Sequence, residues 1–145
     1  MNDGGRAAVY SQGNAYYITG EDQTADGFFV IGSVRKVEAT DSDGVLGTAV
    51  LAALGGSRTD VPTPGRDAPV SGPLLEASGT KTWGTFARQA EVVRVSRDRT
   101  LIRLERWLRM AGRPDAFGPD PEGNPGSTSA PDPVELGKAV RQALT

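Results

Sequence analysis

The 145-residue chain is 37% apolar and 23% charged, with net charge −2 and a pI near 5.1, and its length suits a single domain spanning residues 1–145. It contains no cysteine and no histidine, which excludes disulfides, thiol nucleophiles, iron–sulfur clusters, His- or Cys-bound zinc and the Ser-His-Asp triad. No run of about 18 apolar residues exists and no apolar stretch follows a basic start, so the expectation is a soluble, cytoplasmic protein with no membrane partner.

All ten prolines fall in two windows, 61–73 and 114–133, leaving three proline-free blocks as the expected folded units. In the first, Ala7–Tyr10 and Ala15–Thr19 are rich in tyrosine and β-branched residues and flank Ser11-Gln12-Gly13-Asn14, which predicts a β-hairpin. Gly27–Gly32 predicts a strand too apolar to stand in water, prolonged by the alternation from Val34 to Ala39. Asp41 then caps a helix that runs to Leu54 and stops at Gly55-Gly56. Gly47 lies inside that helix at a cost of about 1 kcal/mol relative to alanine, which points to close packing of the helix on the sheet.

The window 61–73 predicts an extended surface connector, stiffened by its four prolines. After it, Leu74–Ala77 makes a short helical turn ended by Ser78-Gly79. Thr82 caps a helix from Trp83 to about Gln89, with Trp83, Phe86 and Ala87 on one side. Val92–Ser96 and Thr100–Leu104 predict a hairpin about Arg97-Asp98-Arg99. Val93, Val95, Ile102 and Leu104 share its buried face, Arg94 and Arg103 lie outside, and Trp107 and Met110 continue the second strand. From Gly112 to Pro133, ten of 22 residues are Gly or Pro, which predicts a long loop, either partly ordered along the surface with Phe117 as an anchor or disordered.

The last block, Val134 to Leu144, repeats the first helix. Leu136-Gly137-Lys138-Ala139-Val140-Arg141-Gln142-Ala143-Leu144 matches Leu46-Gly47-Thr48-Ala49-Val50-Leu51-Ala52-Ala53-Leu54 at six of nine positions. The shared apolar residues fall at i, i+3, i+4, i+7 and i+8, one face of a helix, so both copies must bury that face against something shared. Asp132 and Pro133 supply the cap and first position of the second copy. Together these elements predict an α+β fold: a mainly antiparallel sheet of about five or six strands with about three helices packed on one face.

Charge is uneven. Residues 88–113 carry eight arginines against three acids, whereas 1–87 and 114–145 are net acidic. The strip has strand alternation, so most of it reads as the wet side of a sheet; its functional alternative is a nucleic-acid surface at Arg94–Arg113 with Trp107 as stacking platform. No glycine-rich phosphate loop occurs, and Asp41, Asp43 and Asp60 do not have EF-hand spacing, so no cofactor and no metal is expected. A carboxylate-only hydrolase or isomerase would draw on Asp115 or Asp120, but an acid pair on a proline-rich loop lacks the rigid placement catalysis requires. Asp115, Asp120 and Glu122 fit another role there, offering negative charge to a basic partner.

Three segments in order resemble the immunity proteins of contact-dependent growth inhibition systems, the CdiI type. They are Leu46-Gly47-x-Ala49-Val50-x-x-Ala53-Leu54-x-x-Ser57-Arg58, then Pro73-Leu74-Leu75-x-Ala77-x-Gly79-x-Lys81-x-Trp83-x-x-Phe86 leading into the Val92–Leu104 hairpin, and finally Glu135-Leu136-Gly137-x-Ala139-x-Arg141-x-Ala143-Leu144. The resemblance covers roughly residues 40–145, and the 112–133 stretch fits the pattern least well. It implies a small cytoplasmic α+β protein, not an enzyme, that binds the toxic C-terminal domain of a delivered effector, commonly a nuclease, and needs no cofactor or nucleic acid. The matching positions carry the fold rather than the toxin contact, so the expected contacts are the acidic loop residues Asp115, Asp120 and Glu122.

Overall fold

The computed structural model describes residues 5–27, 29–58, 61, 72–122 and 126–144, with the side chains of 29, 114 and 115 left aside. The proline-rich connector at 61–73 therefore lies almost wholly outside the described residues. β1 (Arg6–Gln12) and β2 (Ala15–Gln23) form the first hairpin, and β3 (Phe29–Glu38) pairs with β2. α1 (Asp43–Gly55), α2 (Gly72–Ser78) and α3 (Trp83–Arg88) follow, then β4 (Ala90–Asp98) and β5 (Leu101–Met110). β6 (Arg113–Gly118), β7 (Ser127–Ser129) and α4 (Pro133–Ala143) complete the chain. The sheet order is β3-β2-β1-β4-β5-β6, with every strand pair antiparallel. The free edge of β5 is shared, with β7 beside Ile102–Leu104 and β6 beside Leu108–Met110.

The α+β class is as the periodicities predict, with two differences of detail. The 112–133 stretch is not one loop: it holds β6 and β7, because an edge position spares Pro114 the N–H that a central strand would demand. The helices also occupy both faces of the sheet rather than one. On one face α1 and α4 cover Val9, Ile18, Val93, Val95, Ile102 and Leu104 with Leu46, Val50, Leu54, Leu136 and Val140. On the other, Leu74 of α2 and Phe86 of α3 cover Ala15, Tyr17 and Ala90. The aromatic residues gather there: Phe86 meets Tyr10 at 5.6 Å, Tyr17 at 5.9 Å and Trp83 at 5.8 Å, and Trp83 meets Phe117 of β6 at 6.4 Å. Phe117 is thus the anchor the sequence leads one to expect, although on a strand.

Both long helices begin on side-chain caps. Ser42 Oγ accepts from Val45 N at 3.2 Å, one residue later than the predicted cap, because Asp41 Oδ2 is engaged by Glu38 N at 2.9 Å. Asp132 Oδ2 accepts from Glu135 N at 3.0 Å with Pro133 behind it. The repeated glycines serve helix-on-helix packing, not helix-on-sheet. A Cβ on Gly47 would lie 1.7 Å from Pro133 O, and one on Gly137 would lie 2.0 Å from Asp43 O. Each helix therefore presents its fifth residue to the first residue of the other, and the two sequence copies meet as a local pair.

The Ser57-Arg58 end of the first recognised segment ties α1 to the sheet. Ser57 Oγ donates to Arg6 O at 2.7 Å and accepts from Arg6 N at 3.0 Å. Arg58 donates to the buried Asp22 from its main-chain N at 2.8 Å, from Nη2 at 2.9 Å and from Nε at 3.2 Å.

Both hairpins use two-residue loops whose first residue has positive φ: Gly13 at 61° between β1 and β2, and Arg99 at 59° between β4 and β5. Glycine adopts this region freely, whereas an L side chain pays about 1–2 kcal/mol. Arg99→Gly is therefore expected to stabilise the protein by about 0.5–1 kcal/mol, read as a higher urea midpoint with an unchanged slope. The loop contact from Arg97 Nε at 3.1 Å uses the carbonyl of residue 99 and survives the change.

Candidate binding surface

The acidic residues singled out above lie at the β6 edge. Asp115 is on β6, its side chain outside the described residues, and Asp120 and Glu122 occupy the turn that follows. Asp120 Oδ1 accepts from Glu122 N at 2.9 Å, so the first carboxylate shapes the turn that displays the second. Asp120 also lines a groove of about 380 Å³ with Leu104, Leu108, Ser127, Gln142 and Ala143. Arg106 closes one side. Its Nη2 donates to Glu91 Oε2 at 2.7 Å and its Nη1 to Ala143 O at 3.2 Å, which pins the end of α4 to β5. Sequence reasoning had no route to Leu108, Gln142 and Ala143, because the groove arises only where the last turn of α4 meets the far half of β5.

The arginine strip does not form one surface. Strand alternation sends its members to opposite faces; Arg97 and Arg103 find partners within the β4–β5 hairpin, and three more are held by several groups each. Arg94 Nη2 lies 2.5 Å from Glu21 Oε2, and its guanidinium sits 4.7 Å from the centre of the Trp107 ring. Arg109 reaches Glu91 at 3.3 Å, donates to Ala87 O and Arg88 O at 3.0 Å and Ala90 O at 2.6 Å, and lies 5.5 Å from the Phe117 ring centre. Arg106 is the third. A face of Trp107 offered as a stacking platform is thus covered by an arginine of the same chain. Arg6, Arg94, Ser96, Arg103, Glu105 and Trp107 border a second shallow groove on the sheet face opposite α1 and α4.

Glu21 was not apparent from the sequence, though a charged residue one glycine beyond the run Ala15–Thr19 and still on the same strand is its signal. Burial raises its carboxyl above the usual carboxylate range, and Arg94 and Arg6 offset this only in part. Protonated Glu21 is consequently favoured by folding, and that contribution is complete below the ordinary glutamate pKa and lost as pH rises through the elevated one. Glu91 behaves oppositely. Burial opposes its ionisation, but hydrogen bonds from Arg106 and Arg109 outweigh it, so its pKa falls and its contribution disappears toward acid. Comparing wild type with Glu21→Gln isolates the first effect. The wild type's stability relative to that variant is expected to decline as pH rises from about 4 toward neutrality, measured by urea unfolding at a series of pH values. Burial likewise pushes the Tyr10 hydroxyl up to about 12.

Among the described residues, no group of three or more Asp or Glu side chains is placed to hold a metal ion, and no helix is long and apolar enough to cross a membrane. No family model matches the chain, and no curated protein matches it. Solved structures do. A protein of unknown function from Neisseria meningitidis superposes with a TM-score of 0.74 at 17% identity, over 97% of this chain and 93% of that one. A chain of the CdiA-CT/CdiI toxin and immunity complex from Yersinia pseudotuberculosis superposes with a TM-score of 0.72, again at 17% identity, over 97% of this chain and 95% of that one. At that identity the likeness is one of fold, and it extends across nearly the whole of each chain: this protein shares its architecture with the Neisseria meningitidis protein and with a chain of the Yersinia pseudotuberculosis complex.

Proposed function

We propose that the protein is a cytoplasmic immunity protein that binds and neutralises the toxic C-terminal domain, a nuclease, of a contact-dependent growth inhibition effector. The supporting observation is the near end-to-end likeness to a chain of a toxin and immunity complex, with 97% of this chain and 95% of that one aligned. Of the two roles in such a complex, inhibition suits this sequence better. It has neither histidine, the commonest general base, nor cysteine. A stoichiometric inhibitor needs neither residue. The internal pairing of Arg94, Arg106 and Arg109 weighs against the nucleic-acid reading of the strip.

The test is co-expression with the effector C-terminal domain encoded immediately upstream. A stable 1:1 complex and restored growth are expected, while this chain expressed alone is harmless. Toxicity of the chain alone would reverse the assignment of roles. Failure to bind a folded, toxic upstream domain would overturn the proposal. Salt-dependent binding to nonspecific DNA or RNA at micromolar protein would move the case to the arginine strip.

A further inference from the structure

On the sheet face covered by α1 and α4, the last helix ends before β5 does. Arg106 holds Ala143 O, which sets the end of α4 above the middle of β5, yet β5 continues to Met110. Beyond that point Leu108 and Met110 are 37% and 49% exposed. They lie together: Leu108 pairs with Gly118, and a Cβ on Gly118 would come 3.5 Å from Met110 Cγ. This apolar pair runs into the groove of about 380 Å³ floored by Leu104 and Leu108 and walled by Ala143. Asp120 lines the same groove, and Glu122 stands exposed on the adjoining turn. Arg106 shares the Glu91 carboxylate with Arg109 on one side of the groove, and Asp120 and Glu122 bring two further carboxylates to the other side.

An exposed apolar patch opening into a groove, beside an acidic rim, has the form of a protein-binding site with a hydrophobic centre and a polar edge. We infer that this corner receives the toxin domain, taking an apolar side chain of the partner into the groove while neighbouring Lys or Arg residues meet Asp120 and Glu122. The occupant is a basic protein segment, chosen by charge complementarity. The inference rests on the immunity reading and adds to it the docking surface and the chemistry of the partner's contact.

Titrations of the full chain with the purified upstream toxin domain test it. Asp120→Lys with Glu122→Lys is expected to weaken binding by roughly ten-fold or more, mainly through slower association, and to flatten its salt dependence. Leu108→Glu with Met110→Glu is expected to weaken it by roughly a hundred-fold through faster dissociation. Leu108, Met110 and Glu122 are exposed, whereas Asp120 is half-buried and holds the turn through Glu122 N, so Glu122→Lys alone is the variant that keeps the turn, and melting temperatures are measured alongside the affinities. Arg103→Glu, on the opposite face, leaves affinity unchanged. The inference is overturned if the wild type binds but both doubles bind within two-fold of it, or if Arg103→Glu alone weakens the complex. It is equally overturned if Leu108→Glu with Met110→Glu only dissociates a dimer of this chain and leaves toxin affinity intact. Absence of wild-type binding removes the immunity reading itself, and the inference with it.

Discussion

Gly47→Ala is expected to destabilise the protein by at least about 3 kcal/mol, although alanine is intrinsically the better helix residue by about 1 kcal/mol. The added Cβ would meet Pro133 O at 1.7 Å, Pro133 C at 2.5 Å and Pro133 Cα at 2.8 Å. All three are backbone atoms at the start of α4, so no side-chain rotation relieves the overlap and the helices must separate. Separation lifts Leu136 and Val140, both fully buried, off the core shared with Leu46 and Val50. Gly137→Ala, which meets Asp43 O at 2.0 Å, is expected to cost a similar amount. The two effects do not add, since either one already breaks the same contact. Gly84→Ala is the control. It also lies within a helix, but nothing stands within 4 Å of the new Cβ, so the propensity gain of up to about 1 kcal/mol should appear unopposed. Urea unfolding of these three single variants and of the Gly47→Ala, Gly137→Ala double decides the matter. If Gly47→Ala and Gly84→Ala shift the midpoint in the same direction, the close helix crossing is wrong.

The pairing of these helices was half legible. The repeated Leu-Gly-x-Ala-Val pattern gave the helices and their buried faces, and the residues before it gave the Asp132 cap, while the first cap fell on Ser42 and not Asp41. That they bury against each other was not legible, because a glycine on an apolar stripe packs equally well on a sheet or on a helix. The two-sided core was legible in principle. Ala15-Tyr16-Tyr17-Ile18 has no polar alternate, and a strand apolar on both faces is covered on both. Tyr17 and Ala15 meet α2 and α3, while Ile18 and Tyr16 meet α1 and α4. β6 and β7 were hidden by their composition. Arg113-Pro114-Asp115 and Ser127-Thr128-Ser129 have weak strand signals, and they are strands because the long edge of β5 offers unpaired backbone. The candidate surface followed the same rule. Asp120 and Glu122 stood out as charges on a loop, whereas the groove between them and α4 depends on where α4 ends, a tertiary property.

The arginine within the second helical copy carries the other large effect. Arg141→Ala is expected to cost about 3–4 kcal/mol, because it removes charge-assisted hydrogen bonds and strands main-chain carbonyls of the β3–α1 connection. Arg141 Nη1 donates to Ala39 O at 2.9 Å and Nη2 donates to Asp41 O. Its Nε lies 2.7 Å from Asp43 Oδ1, and the guanidinium sits 5.3 Å from the Tyr16 ring centre. One side chain thus holds α4, the turn before α1, the first residue of α1 and β2 in register. The first helical copy has Leu51 at the matching position, packed against the core, so the repeat departs where the pair needs a clasp rather than more apolar surface. Arg141→Lys should recover less than half of the loss, since a single ammonium cannot reach two carbonyls and a carboxylate at once as a planar fork does. For a chain of this size the alanine variant's melting temperature should fall by roughly 10 °C. A drop below about 3 °C would mean that the apolar face alone positions α4 and that the clasp contributes little. Because the groove beneath Ala143 exists only while α4 is seated, the same variant should also weaken partner binding through the population of seated helix rather than through any direct contact.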